Sequence, residues 1–192
     1  GTQAADFDND GWLDVAVGNG HLYDARYADI PFRMQSQVFR GSQRGFVLQA
    51  ASQVGEYWER EHLARTMAMF DLDSDGRMDL VANHLDQPIS ILRNESERGN
   101  WLQMKLIGVR SERDAVGAKV VIKCGEESWT SWVTSGDGYM CTNQQVLHFG
   151  IGDHRVIDDL QIQWPTGQIQ SFEKCPVNQC LIVIEGEGLH TY

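Results

Sequence analysis

The stretch "DFDNDGWLD" at residues 6–14 places four aspartates and an asparagine in nine positions, and "DLDSDGRMD" at residues 71–79 repeats the arrangement 65 residues later. In D-x-D-x-D-G-x-x-D the side chains at positions 1, 3, 5 and 9 converge only if the backbone coils sharply, which glycine at position 6 permits. Carboxylates held that close repel by roughly 1–3 kcal/mol per neighbouring pair, and a divalent cation cancels the repulsion. A set of carboxylate and carbonyl oxygens without histidine or cysteine suits Ca²⁺ better than zinc or copper, and Mg²⁺ prefers to keep its waters. The first loop offers Asp6, Asp8, Asp10 and Asp14 with the main-chain carbonyl of Trp12. The second offers Asp71, Asp73, Asp75 and Asp79 with the carbonyl of Arg77. Asn9, Ser74 and the two glycines shape the turns. An EF-hand starts in the same way but needs a glutamate at position 12, where this chain has Val17 and Ala82. A lone Asp-Gly turn is commonly just solvated; two full matches at a long period argue for a cation loop in a repeat.

Around the loops the chain reads as mostly β, with turn residues at intervals of roughly ten and little helical periodicity. In "DLQIQW" (159–164) Leu160, Ile162 and Trp164 alternate with polar residues, and in "WLQMKLI" (101–107) Leu102, Met104 and Leu106 do the same. "LIVIE" (181–185) is a continuous apolar run suited to a strand covered on both faces. Only "GEYWEREHLART" (55–66) has room for a short helix. The polar stretch "NESERGN" (94–100) marks a boundary, giving a repeat region at 1–98, a second β domain at 99–186 and a tail at 187–192.

With 192 residues, 42% hydrophobic and 22% charged, the composition is that of a globular protein with a sizeable core. A formal net charge of −11 disfavours nucleic acid and anionic membrane as partners, since both repel such a field. The sequence has no apolar run long enough to span a bilayer. It opens in mid-pattern at "GTQAADFD" without an initiator methionine, so it reads as a piece of a longer chain whose targeting segment lies upstream. Cys124, Cys141, Cys175 and Cys180 allow three pairings, of which Cys175–Cys180 with Cys124–Cys141 is the sequence-local one; buried free thiols are the other reading. The spacing is poor for zinc.

Two resemblances extend this reading. "AADFDNDGWLDVAVGNG" and "MAMFDLDSDGRMDLVANH", with "QVFRGSQRGFVLQAAS" between them, resemble the FG-GAP or VCBS repeats of integrin-like β-propellers. That resemblance implies partial propeller blades, with a structural Ca²⁺ at each acidic loop, two in all. The second half resembles the UnbV or ASPIC domain that follows such repeats, on "NWL" (100–102), "RDAVGAKV" (113–120), "SGDGY" (135–139), "LHFGIG" (147–152) and "WPTG" (164–167). This implies a C-terminal antiparallel β-sandwich or barrel-like domain. Gly41 and Gln43 stand where the repeat family often has Asn and Asp, and Cys141 where the UnbV family more often has serine. Fewer than two blades cannot close a ring, because propellers need at least four. The exposed edges are therefore expected to be covered by packing against the C-terminal domain or by edge pairing in a homodimer.

No catalytic motif surrounds His62, His84, His148 or His154, so these read as core or surface histidines. Glu126 and Glu127 read as a hairpin turn, Arg113 and Asp114 as a local pair fixing a loop, and Asn94-Glu95-Ser96 as a chance glycosylation sequon. The function that follows is a non-enzymatic, calcium-binding, secreted or cell-surface module for adhesion or protein interaction, with an extracellular protein or glycan as partner. The alternative is a carbohydrate-binding or targeting part of a larger secreted enzyme, using Trp58, Trp129 and Trp132. A metal-dependent hydrolase ranks last, because a loop that surrounds its ion leaves little open coordination for substrate.

Overall fold

The computed structural model describes residues 1–97 and 99–191; Arg98, where the expected boundary falls, and Tyr192, the end of the expected tail, lie outside the described residues. The chain is mostly β and divides into two compact units. The first holds Gly1–Phe7, Trp12–Ser96 and Gly136–Asn143; the second holds Asp8–Gly11, Glu97–Ser135 and Gln144–Tyr192.

In the first unit, β1 (Thr2–Ala5), β2 (Asp14–Val17), β3 (Met34–Gln35), β4 (Gln37–Arg40), β5 (Val47–Leu48), β6 (Glu61–His62), β7 (Ala64–Phe70), β8 (Asp79–His84) and β9 (Ser90–Leu92) form small antiparallel sheets. One has the order β1-β2-β4-β5, another β7-β8-β9, and β3 pairs with β6. Each acidic stretch is the turn of a hairpin: Ala5 lies opposite Asp14, and Phe70 opposite Asp79. Ala16, Trp58, Met67, Leu80 and Ala82 build the core, with Phe7 and Val38 packed on it. The helix expected within 55–66 shrinks to α2 (Glu56–Glu59), preceded by α1 (Ala51–Val54). Arg60 returns to extended backbone, because the following residues are claimed by β6 and β7.

The edge of β7 is closed by side chains. Met69 N–H donates to Asn143 Oδ1 at 2.8 Å, and Gln3 Nε2 donates to Met67 O at 2.6 Å. Asn143 Nδ2 in turn donates to Gln3 Oε1 at 2.9 Å. Polar side chains here satisfy main-chain groups that a free strand edge would expose.

The second unit is two four-stranded sheets sharing one core. β10 (Trp101–Ile107), β13 (Leu147–Gly150), β16 (Gln179–Ile184) and β17 (Leu189–Thr191) form one sheet, in the order β13-β10-β16-β17. β11 (Lys119–Cys124), β12 (Glu127–Trp132), β14 (Val156–Gln163) and β15 (Ile169–Pro176) form the other, in the order β12-β11-β14-β15. Leu102, Met104, Leu181 and Val183 from the first sheet pack with Val120, Ile122, Leu160 and Ile162 from the second. The alternation read in 101–107 and 159–164 thus sets the buried face.

Several expectations are corrected. The domain is not wholly antiparallel: β10 and β16 run parallel, with Leu102 opposite Gln179, which the long intervening chain allows. No closed barrel forms among the described residues; the sheets remain open layers. "LIVIE" is covered mainly on one face, since Leu181 and Val183 are buried while Ile182 and Ile184 are half-exposed. The segment read as a tail holds β17, paired with β16. Glu126 does sit in a tight hairpin turn between β11 and β12, beside Gly125 at φ +58°.

Candidate cation-binding loops

Asp14 and Asp79 each open the second strand of a hairpin and are buried to 4% and 2% exposure. Asp79 Oδ2 accepts the N–H of Leu72 at 2.8 Å and Oδ1 that of Asn94 at 2.7 Å. Asp14 Oδ2 accepts the N–H of Phe7 at 3.0 Å and Oδ1 that of Gly41 at 2.8 Å. Each carboxylate therefore joins its own loop to the end of the third strand in the sheet. Backbone conformation repeats as well: position 4 is left-handed in both loops, Asn9 at φ +58° and Ser74 at +57°. Position 6 is glycine in both, at φ +92° for Gly11 and +80° for Gly76, a conformation that a β-carbon would strain.

This coiling brings positions 1, 3 and 9 together. In the second loop, which lies wholly in the first unit, Asp71, Asp73 and Asp79 offer carboxylate oxygens within 4.8 Å of one another. Position 5 stands outside this group. In the second loop the reason is visible: Asp75 Oδ2 is ion-paired with Arg77, and Asp75 Oδ1 accepts the Arg77 N–H at 2.9 Å. Arg77, expected to contribute its carbonyl, thus also turns Asp75 aside with its side chain. Asp71 is oriented by the N–H groups of Asp75 at 3.1 Å and Gly76 at 2.8 Å. Arg93 reaches Asp73, with Nε 3.0 Å from Oδ2. Burial pushes the Asp79 carboxyl above its ordinary value, against the amides of Asn94 and Leu72, while Asp73 and Asp71 add repulsion in the same upward direction. Three converging hard oxygen donors are a fit for a hard divalent cation, which Asp71, Asp73 and Asp79 would hold. In the first loop, Asp10 and Trp12 complete the expected set; Trp12 is 47% exposed.

Residues 8–11 have a second task within their own unit. Asn9 is fully buried, and its O accepts the Gly152 N–H at 2.9 Å while Oδ1 meets His148 Nε2 at 2.7 Å. Trp129 Nε1 donates to Gly11 O at 3.0 Å.

Asn94 is the residue that motif reading missed. Its Nδ2 donates to Phe7 O at 2.7 Å and Met78 O at 3.2 Å, and Ser96 Oγ donates to Phe7 O at 3.0 Å. What reads as a sequon is a clasp on both loops. The other candidates are placed more plainly. Trp58 is buried in the first core, Trp129 packs against the second, and Trp132 is 54% exposed. Trp129 and Trp132 lie three apart on β12 and so face opposite ways, which rules out one flat aromatic platform from that pair. His154 Nε2 meets Glu127 at 2.6 Å at the surface. None of the four cysteines is in a disulfide, so neither sequence-local pairing is formed. Cys175 lies on β15 and Cys180 on β16, in different sheets. Burial raises the Cys124 thiol to about 11, as expected of a core thiol.

No helix among the described residues is long and apolar enough to cross a membrane. Residues 108–190 match the family model described as ASPIC and UnbV. Cartilage acidic protein 1 of Mus musculus is 32% identical over 177 residues, covering 88% of this chain and 26% of that protein. The Homo sapiens protein of that name is 31% identical over 176 residues, covering 87% of this chain and 25% of its own length. The chain spans about a quarter of the length of the curated relatives it matches. Its second unit is therefore similar to the ASPIC and UnbV family, and most of the chain is similar to one stretch of cartilage acidic protein 1.

Proposed function

We propose that the chain is a non-enzymatic, extracellular, calcium-stabilised module for adhesion or protein interaction, secreted or held at the cell surface. The carrying observation is the convergence of Asp71, Asp73 and Asp79 in a loop whose left-handed residues fall at the same positions, 4 and 6, as those of 6–14. Two hairpins with the same acidic turn, each seeding a small antiparallel sheet, support the reading of the first unit as FG-GAP or VCBS repeats of a partial propeller. Similarity to a cartilage protein supports the extracellular setting. Ca²⁺ bound at each loop would neutralise the carboxylates and hold the two strands of the hairpin at a fixed spacing. Isothermal titration of the chain with Ca²⁺ tests this. Two sites at about 10⁻⁴–10⁻³ M, the range of extracellular modules, and a chelator-sensitive melting temperature are expected. Heat release indistinguishable from dilution, with melting unmoved by chelator, would sink the reading.

A carbohydrate-binding role keeps one observation in its favour: Trp132 is exposed beside Lys119, whose ammonium lies 5.7 Å from the ring centroid. A glycan array separates the two, with hits lost in Trp132→Ala supporting the second.

A further inference from the structure

Three aromatic side chains, with the Gln87 amide and the Ser36 hydroxyl, close a second polar cluster in the first unit. His62 and His84 are buried to 5% and 6% exposure, with ring centroids 5.2 Å apart. Tyr57, from α2, stacks on His62 at 4.1 Å. The partners fix which nitrogen carries hydrogen. His84 Nδ1 faces the Pro88 carbonyl at 3.0 Å and must donate to it, which leaves Nε2 to accept the Tyr57 hydroxyl at 3.0 Å. His62 Nε2 donates to Tyr57 O at 2.9 Å, and its Nδ1 accepts from Gln87 Nε2 at 2.6 Å. Tyr57 is also hydrogen-bonded to the buried Ser36. Donation thus runs one way, from Ser36 through Tyr57 and His84 to Pro88.

We propose that this cluster is an acid-released clasp: a proton on His84 Nε2 opposes the Tyr57 hydroxyl, reverses the hydrogen-bond chain and frees α2 and the 85–88 turn from the sheet. The proton enters a buried place beside a second imidazole, where hydration is lost. Burial, which outweighs the Pro88 carbonyl, holds His84 below its ordinary value of 6.5, with His62 pushing the same way and Asp86 opposing. The other charged groups around the cluster are partnered or exposed. Asp86, in the turn, is ion-paired with Arg33. Glu56 and Arg60 pair with each other on α2, and Glu59 and Glu61 are exposed. Arg65 on β7 sends its guanidinium to the carbonyls of Ala64 and His21. Among the described residues, the anion placed to stabilise the imidazolium is Asp86, which Arg33 already engages.

The sign follows from linkage. The unfolded segment takes up the proton at a higher pH than the closed clasp does, so closure is complete above 6.5 and weakens as pH falls through the lowered value. Hydrogen exchange of the whole chain, followed by mass spectrometry between pH 7.5 and 4.5 and corrected for intrinsic rates, reads this directly. Peptides spanning 55–63 and 84–88 are expected to lose protection at least tenfold, with a midpoint below 6.5, together with a change in Trp58 fluorescence. Tyr57→Phe removes the opposing hydroxyl and is expected to move the midpoint upward; Asp86→Asn is expected to move it downward. Unchanged protection to pH 4.5, or a midpoint that neither substitution moves, would overturn the proposal, the second outcome assigning the transition to carboxylates. His62→Gln keeps a donor towards Tyr57 O and serves as a further variant in which the midpoint rises.

Discussion

Asp14 and Asp79 perform the same double duty 65 residues apart: one oxygen takes the amide of the second loop residue, the other an amide arriving from the third strand. A carboxylate with both oxygens so engaged keeps lone pairs for a cation as well. Asp79→Asn keeps the shape but puts an NH₂ group against the Asn94 or Leu72 amide. It is expected to destabilise the first unit by about 1–3 kcal/mol, the cost of an unmet buried donor, and to abolish cation uptake at that loop. Urea unfolding with and without Ca²⁺ checks both parts; a variant that unfolds like the parent in each condition would refute the shared role.

The alternating strands were readable because each buried face recurs every second residue, as at Leu160, Ile162 and Trp164. The acidic loops were readable because glycine and aspartate spacing is a local property. What sequence could not show depends on distant pairing. Nothing local says that β10 finds β16 in parallel, or that Asn94 reaches back to Phe7. Nor does spacing reveal that Arg77 draws Asp75 out of the set its motif position assigns it to.

Arg93 lies against Asp73 with both side chains substantially exposed, at 53% and 37%. Such a pair contributes about 0–1 kcal/mol, and a cation at the second loop must displace or share it. Arg93→Gln is therefore expected to tighten Ca²⁺ binding at that loop by up to about fivefold, the equivalent of 1 kcal/mol. The gain should shrink as salt rises. Titration at low and moderate ionic strength measures it; weaker binding in the variant would show that Arg93 supports the loop rather than competing for it.

Asn94 donates both amide hydrogens to main-chain carbonyls, one in each loop region. Asn94→Asp replaces the donor group with an acceptor facing two other acceptors, Phe7 O and Met78 O. A loss of about 1–3 kcal/mol is expected, larger than that of Ser96→Ala, which removes a donor from Phe7 O while Asn94 still serves it. Denaturant midpoints of the two variants give the order, and equal losses would mean that the clasp resides in Ser96 as much as in Asn94.

Glu185 gathers the loop after β10 onto the end of β16. One oxygen accepts the N–H groups of Val109, Arg110 and Ser111 at 2.9, 2.7 and 2.6 Å, and the other accepts the hydroxyls of Ser111 and Thr166. Burial alone would raise this carboxyl, but the Ser111, Val109 and Arg110 amides together outweigh it and hold it at about 2, against an ordinary 4.5. A depressed carboxylate contributes stability that is complete above the unfolded value and is lost as pH falls through the folded one. The contribution should therefore be full above pH 4.5 and fade between 4.5 and 2. Glu185→Gln places an amide NH₂ where donors converge and loses the charge at every pH. The second unit of the variant is expected to unfold at lower denaturant than the parent at pH 7, with the gap narrowing steadily below pH 4.5. Because Thr166 belongs to the "WPTG" turn, Thr166→Val should reproduce a small part of the pH 7 loss without its pH dependence. A gap that stays constant from pH 7 down to 2.5 would mean that Glu185 acts through packing, with its charge contributing nothing to the fold.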